Sequence, residues 1–173
     1  MRLCVAALAA LVVACNGGLG PAPAPTSCPK NFTGICGTVK IRGAIPDSTD
    51  VVYLVAYHTF PQSRGDLFNF VPFPPPTVSL VDTTYFYTLP LPNGRYEWVL
   101  AVWKKQGPML TIANADSLLR EAGYYKRSDA DTSRFGAGIV VVNSIGTDSI
   151  DFVVDFDNMH PVSFYFPAAV VRR

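Results

Sequence analysis

Histidine is nearly absent from this chain: His58 and His160 are the two among 173 residues. So little imidazole leaves few groups that could exchange protons near neutral pH. Three familiar catalytic signatures are also missing, namely a G-x-S-x-G elbow, an H-E-x-x-H pair and a glycine-rich phosphate loop. A carboxylate pair for glycoside hydrolysis would need Glu97 and an aspartate, and no spacing singles out the partner. The chain therefore reads as a non-enzyme with no catalytic residue and no cofactor. Charge is scarce too, at 16% of residues, with 14 Lys and Arg against 13 Asp and Glu. That balance offers no concentrated basic face, which counts against nucleic acid and anionic lipid as electrostatic partners. Glutamate and lysine are few while proline reaches 15 and glycine 13, a composition that argues against a helical protein.

What is present begins with the amino terminus. Arg2 supplies a positive charge, Leu3 to Val13 is an apolar run, and Val12-Val13-Ala14-Cys15 ends it with small residues before a cysteine. The run is too short to cross a bilayer core of about 30 Å. The segment resembles the lipobox of bacterial lipoproteins. The resemblance implies that residues 1–14 are a signal peptide and that Cys15 carries diacylglycerol as the first residue of the mature chain. It further implies a lipid-anchored protein of the bacterial cell envelope, and Asn16 in place of Asp favours the outer membrane. Residues 15–27, with Asn16-Gly17-Gly18-Leu19-Gly20 and Pro21-Ala22-Pro23-Ala24-Pro25, read as a flexible Gly/Pro tether. With Cys4 removed and Cys15 lipidated, Cys28 and Cys36 remain as an even pair in an oxidising compartment, where a disulfide is expected. A metal or redox role would want C-x-x-C spacing or a nearby histidine, and neither is there.

Residues 28–173 read as one domain. Gly37 to Arg42 alternates like a strand, and Val51 to His58 is apolar throughout, as in a strand covered on both faces. Thr59 to Pro76 is a long loop with four phenylalanines, which its prolines exclude from a central strand. Tyr85 to Leu91 and Arg95 to Lys105 flank Asn93-Gly94 and predict a hairpin whose turn demands positive φ at Gly94. Ser117 to Ala122 predicts a short helix stopped by Gly123. Gly138 to Val142 and Ser149 to Asp155 predict a second hairpin, and Val162 to Phe166 a final strand. Six or seven strands with one short helix and a long Pro/Phe-rich loop make an all-β antiparallel sandwich. Gly37-Thr38-Val39, the Val51 to Tyr57 strand, and Tyr87-Thr88-Leu89-Pro90-Leu91-Pro92-Asn93-Gly94-Arg95-Tyr96 resemble the transthyretin-like, Ig-like or carboxypeptidase-regulatory-like domains of exported bacterial proteins. The resemblance covers residues 37–103 and implies an accessory module without catalytic residues. It departs from that pattern at Ile45 to Asp50 and in the long proline loop.

Alternation along the central strand sets Tyr96, Trp98, Leu100 and Val102 on one face, read as core, and Val99, Ala101 and Trp103 on the other. Trp103 is thereby expected on the less buried side, near the strand end. With Tyr124, Tyr125 and Phe73 it forms a candidate aromatic surface for stacking on sugar rings. Asp148, Asp151, Asp155, Asp157, Asn158 and His160 are the densest set of metal-type ligands, yet Asp151, Asp155 and Asp157 share a strand face and read as a wet surface. Only Asp155 and Asp157 could curl round an ion, and no metal is expected. The functional expectation is a structural or protein-interaction role at the envelope, with a carbohydrate-binding module around Trp103 as the alternative.

Overall fold

A computed structural model describes residues 27–128 and 136–167. Nine short strands are present among them: β1 (Gly34–Arg42), β2 (Thr49–Tyr57), β3 (Thr84–Pro90), β4 (Gly94–Tyr96), β5 (Trp98–Lys105), β6 (Leu119–Tyr124), β7 (Val140–Val142), β8 (Phe152–Asp155) and β9 (His160–Pro161). Two four-residue helices, α1 (Ala115–Leu118) and α2 (Val162–Tyr165), and one 3-10 turn (Gly65–Phe68) complete the set. One sheet has the order β3-β1-β8, the other β2-β5-β6-β9, and β4 pairs with β7 as a separate ribbon. All pairings are antiparallel except β1 with β8, which is parallel. The protein is an all-β, sandwich-like fold, mixed in one sheet.

The alternation of β2 and β5 explains the layers. Val52, Leu54 and Ala56 of β2 and Val99, Ala101 and Trp103 of β5 join one buried cluster with Ile35, Val39, Leu89 and Val154 of the facing sheet. Burying aliphatic side chains of this size is worth about 1.5–3 kcal/mol each, so this layer is the main source of stability. Tyr87 reaches across it and donates its hydroxyl to the Ile150 carbonyl at 2.7 Å. The opposite parity, Val55 and Tyr57 of β2 with Trp98 and Leu100 of β5, forms a second buried cluster on the outer face of the four-stranded sheet.

Several expectations are corrected here. Neither predicted hairpin forms: β3 pairs with β1 and β5 with β2, while β7 pairs with β4 and β8 with β1. Pro90 and Pro92 cannot donate to a ladder, and the chain leaves the first sheet over Leu91 to Asn93, enters the β4-β7 ribbon and reaches the four-stranded sheet only at β5. Gly94 accordingly lacks positive φ, and a Cβ there would make ordinary contacts with the His58 ring at 3.4 Å and the Tyr96 ring at 4.0 Å. The helix predicted over Ser117 to Ala122 is confined to Ala115–Leu118, and Leu119 to Ala122 instead enter β6. Pairing with β5 and β9 on either side overrides the helix propensity of Leu-Arg-Glu-Ala. The final segment is the reverse case, a helical turn, α2, where a strand was expected.

Cys28 and Cys36 are disulfide-bonded, as expected, eight positions apart in sequence. Closing so small a loop is worth about 2.5 kcal/mol on chain-entropy grounds. Replacing both cysteines with alanine is therefore expected to lower unfolding free energy by about that amount in urea titrations. Equal midpoints for variant and parent would show that the bond adds nothing to stability.

Candidate functional site: a roofed apolar cleft

The outer face of the four-stranded sheet carries side chains in ranks set by strand register. One rank crosses all four strands: Tyr53 of β2 opposes Val102 of β5, Val102 opposes Glu121 of β6, and Glu121 opposes His160 of β9. Beside it run Val55, Leu100 and Tyr124, and then Tyr57 with Trp98. A sheet face this apolar has to be covered.

The cover is the long proline and phenylalanine loop, helped by α2. The loop first lies along the free edge of β2. Ala56 N–H donates to the Val71 carbonyl at 2.8 Å and Val71 N–H returns the bond at 2.9 Å, while Leu54 N–H donates to Pro76. These bonds occupy edge groups that would otherwise be open to another strand. Asp66 then organises the 3-10 turn by accepting from the Gln62 and Ser63 amides at 3.1 and 2.9 Å. Tyr57 OH donates to the Leu67 carbonyl at 2.8 Å, which fastens the loop to the sheet. Arg64 reaches the Phe166 carbonyl from the loop at 3.2 Å, tying it to the segment after α2.

Between cover and sheet lies a cavity of about 230 Å³. Its floor is Val55, Tyr57, Trp98, Leu100 and Val102. The loop contributes Leu67, Phe68, Phe70 and Phe73, and the far wall is Val162 and Tyr165. Trp98 sits among rings, 4.6 Å from Phe60, 5.2 Å from Tyr165 and 5.6 Å from Tyr57 between centroids. It is 2% exposed. Its Nε1 is the buried side-chain nitrogen that has no hydrogen-bond partner among the described residues.

The polar end of the cavity is Glu121, the charged side chain buried among the described residues at 8% exposure. Tyr165 OH donates to its Oε2 at 2.9 Å, and His160 Nδ1 meets the same oxygen at 2.7 Å. Burial raises the Glu121 pKa above the usual carboxylate range, and the His160 and Tyr165 hydrogen bonds only partly oppose it. A carboxyl with a raised folded pKa binds more protons folded than unfolded. Its contribution to stability is full below the unfolded pKa, near 4.3, and is lost as pH climbs through the higher folded value. Glu121→Gln should therefore unfold with a stability curve that falls less than the parent's as pH rises above about 4.3. Parallel curves would place the raised pKa elsewhere.

The residues expected at a ligand surface are divided by the sheet. Trp103 is 5% exposed and belongs to the layer between the sheets, where its Nε1 donates to Thr49 Oγ1 at 2.8 Å. That corrects its expected placement on the less buried side, because both faces of β5 are covered. Tyr125 packs against the same inner layer, whereas Tyr124 lies on the outer side, 6.4 Å from Trp98. Phe73 is 84% exposed and lines the cavity mouth. Asp155 is used by its own turn, accepting from Asp157 N–H at 3.1 Å and from Asn158 Nδ2 at 2.9 Å. Asp157 packs against Gly43, and no group of three or more His, Cys, Asp or Glu converges among the described residues. His58 is a rim residue, its Nδ1 3.1 Å from the Arg95 carbonyl. Cys15 lies outside the described residues.

Trp98 and Glu121 are the residues that reading the sequence missed. Parity along β5 predicts Trp98 to be buried, as it is, but it lies on the outer face of the sheet and not between the two sheets. Glu121 was hidden inside an apparent helix, and strand alternation with Leu119 is the signal that could have exposed it. No protein-family model, no curated protein and no solved structure matches this chain. What fold and site together define is an all-β sandwich whose four-stranded sheet carries a roofed apolar cleft.

Proposed function

We propose that the protein is an exported, lipid-anchored, non-catalytic binding protein of a bacterial cell envelope, held at the outer membrane through Cys15 and engaging a ligand or protein partner with the cleft. The transthyretin-like or carboxypeptidase-regulatory-like resemblance of residues 37–103 supports the accessory character of such a module. The observation that carries the reading is the cavity itself. Apolar pockets with a few convergent polar groups are the usual form of small-molecule sites, and this one has an apolar floor, a tethered cover and one buried carboxylate. The carbohydrate-binding alternative loses its centre with Trp103 in the inner layer, since sugar stacking needs an accessible ring face.

The two tryptophans allow a direct test. Trp98 lines the cleft and Trp103 does not, so in a Trp103→Phe variant of the full chain Trp98 is the reporting fluorophore. Titration with naphthalene is expected to change its emission saturably, while soluble polysaccharides and calcium leave it unchanged. A saturable response to a glycan with none to naphthalene would reject the apolar-cleft reading in favour of carbohydrate binding.

A further inference from the structure

Three features of the cleft define its ligand more closely, on the reading that the cleft is a binding site. The first is size. A cavity of about 150 Å³ takes one benzene ring, so one of about 230 Å³ has room for a compact two-ring body or a short branched chain. The second is charge. The ionic groups at the cleft are already engaged. Lys104 pairs with Asp50, Glu121 is held by His160 and Tyr165, and the Arg120 Nη1 donates to the Asp116 and Leu119 carbonyls. A charged ligand would have to enter apolar walls and displace one of these contacts to be paired, which is disfavoured against an uncharged one. The third is the geometry of Glu121. Both of its donors converge on Oε2, leaving Oε1 without a donor among the described residues. Glu121 lines the polar end of the cavity, and a carboxylate oxygen accepts hydrogen bonds and cannot give one when ionised.

We propose that the cleft takes an uncharged, compact, mainly apolar molecule bearing one hydroxyl group, which donates its hydrogen to Glu121 Oε1 while the apolar body lies on Leu100 and Val102. The rank Tyr53, Val102, Glu121, His160 puts the acceptor directly beside the apolar floor, so a single small molecule spans both. The inner sheet layer has no such pairing. Phenols and short alicyclic or branched alcohols have this chemistry, whereas sugars, with a hydroxyl on nearly every carbon, would leave most of their polar groups unmatched.

The probes are naphthol, its methyl ether and naphthalene, titrated into the full-length chain carrying Trp103→Phe, the parent for this series, and followed by Trp98 emission. Naphthol is expected to bind about ten-fold more tightly than the ether, because one net hydrogen bond is worth roughly one such factor. In Glu121→Gln the amide carbonyl takes over the Tyr165 and His160 contacts and its NH₂ faces the cleft. Preference should then vanish or reverse toward the ether, whose oxygen only accepts, while naphthalene binds as before. Val102→Phe, which adds bulk to the floor without touching the inner layer, is expected to abolish binding of all three, with its melting temperature reporting that the fold is intact. Equal affinity of naphthol and ether for the parent, both lost in Val102→Phe, would overturn the hydroxyl assignment and leave the cleft as a binding site. Probes that bind Val102→Phe as well as the parent, or that bind neither, would overturn both.

Discussion

Gly123→Ala is expected to lower the melting temperature by about 6–12 °C, a large effect for the addition of a single methyl group. Gly123 has φ +156°, and a Cβ built there would lie 1.8 Å from the Val153 carbonyl oxygen. The obstacle is backbone of β8, not the end of a flexible side chain, so relief requires moving β6 away from β8. β6 is flanked by β5 and β9, and its Ala122 belongs to the inner layer. Moving it would disturb both faces of the sheet. Overpacking and backbone strain of this kind together cost about 3 kcal/mol or more, and each kcal/mol shifts the midpoint of a domain this size by about 2–4 °C. Gly94→Ala is the matched control. With no positive φ and 3.4 Å to the nearest ring atom, it should stay within about 0.5 kcal/mol of the parent. If the two variants melt together, β6 and β8 do not approach as described.

Cys15→Ala is expected to move the protein almost completely from the membrane fraction to the soluble one. A single acyl chain gives only marginal, reversible membrane binding, with an association constant of about 10⁴ M⁻¹, and stable anchoring takes two. Diacylglycerol on Cys15 would supply two at once, and no helix among the described residues is long and apolar enough to cross a membrane. The change should be visible by fractionation and immunoblot, and by loss of labelled fatty acid from the band. Unaltered partitioning of the variant would remove the lipid anchor from the proposed function, while leaving the ligand chemistry of the cleft to be judged separately by the naphthol series.

The strands were legible where alternation or a continuous apolar run is strong. β1, β2, β5 and β8 lie where the apolar periods of Val39 and Ile41, Val51 to Tyr57, Trp98 to Trp103, and Phe152 and Val154 placed them. The wet row Asp151, Val153, Asp155 opposite the buried Ile150, Phe152 and Val154 also stands as read. Pairing was not legible. Asn93-Gly94 is a strong local hairpin signal, yet the strands on either side of it belong to different sheets. Likewise Leu119-Arg120-Glu121-Ala122 has good helix formers, and only the two neighbouring strands that need a partner between them make it a strand.

Composition and spacing by themselves determined the all-β class, the Cys28–Cys36 bond, the buried character of the central strand and the exclusion of Thr59 to Pro76 from any central strand. These follow from local rules: period-two alternation, the missing amide of proline, and a short covalent loop. The tertiary structure alone decided which face of β5 meets the other sheet. It put Trp103 in the inner layer and Trp98 beneath the loop, and it brought Glu121 to His160 and Tyr165 across 39 and 44 residues of chain. Alternation assigns residues to one of two faces but carries no sign saying which face is inside. When both are apolar, as on β2 and β5, that choice rests on long-range packing of the facing sheet and the covering loop, and the cleft exists only as its result.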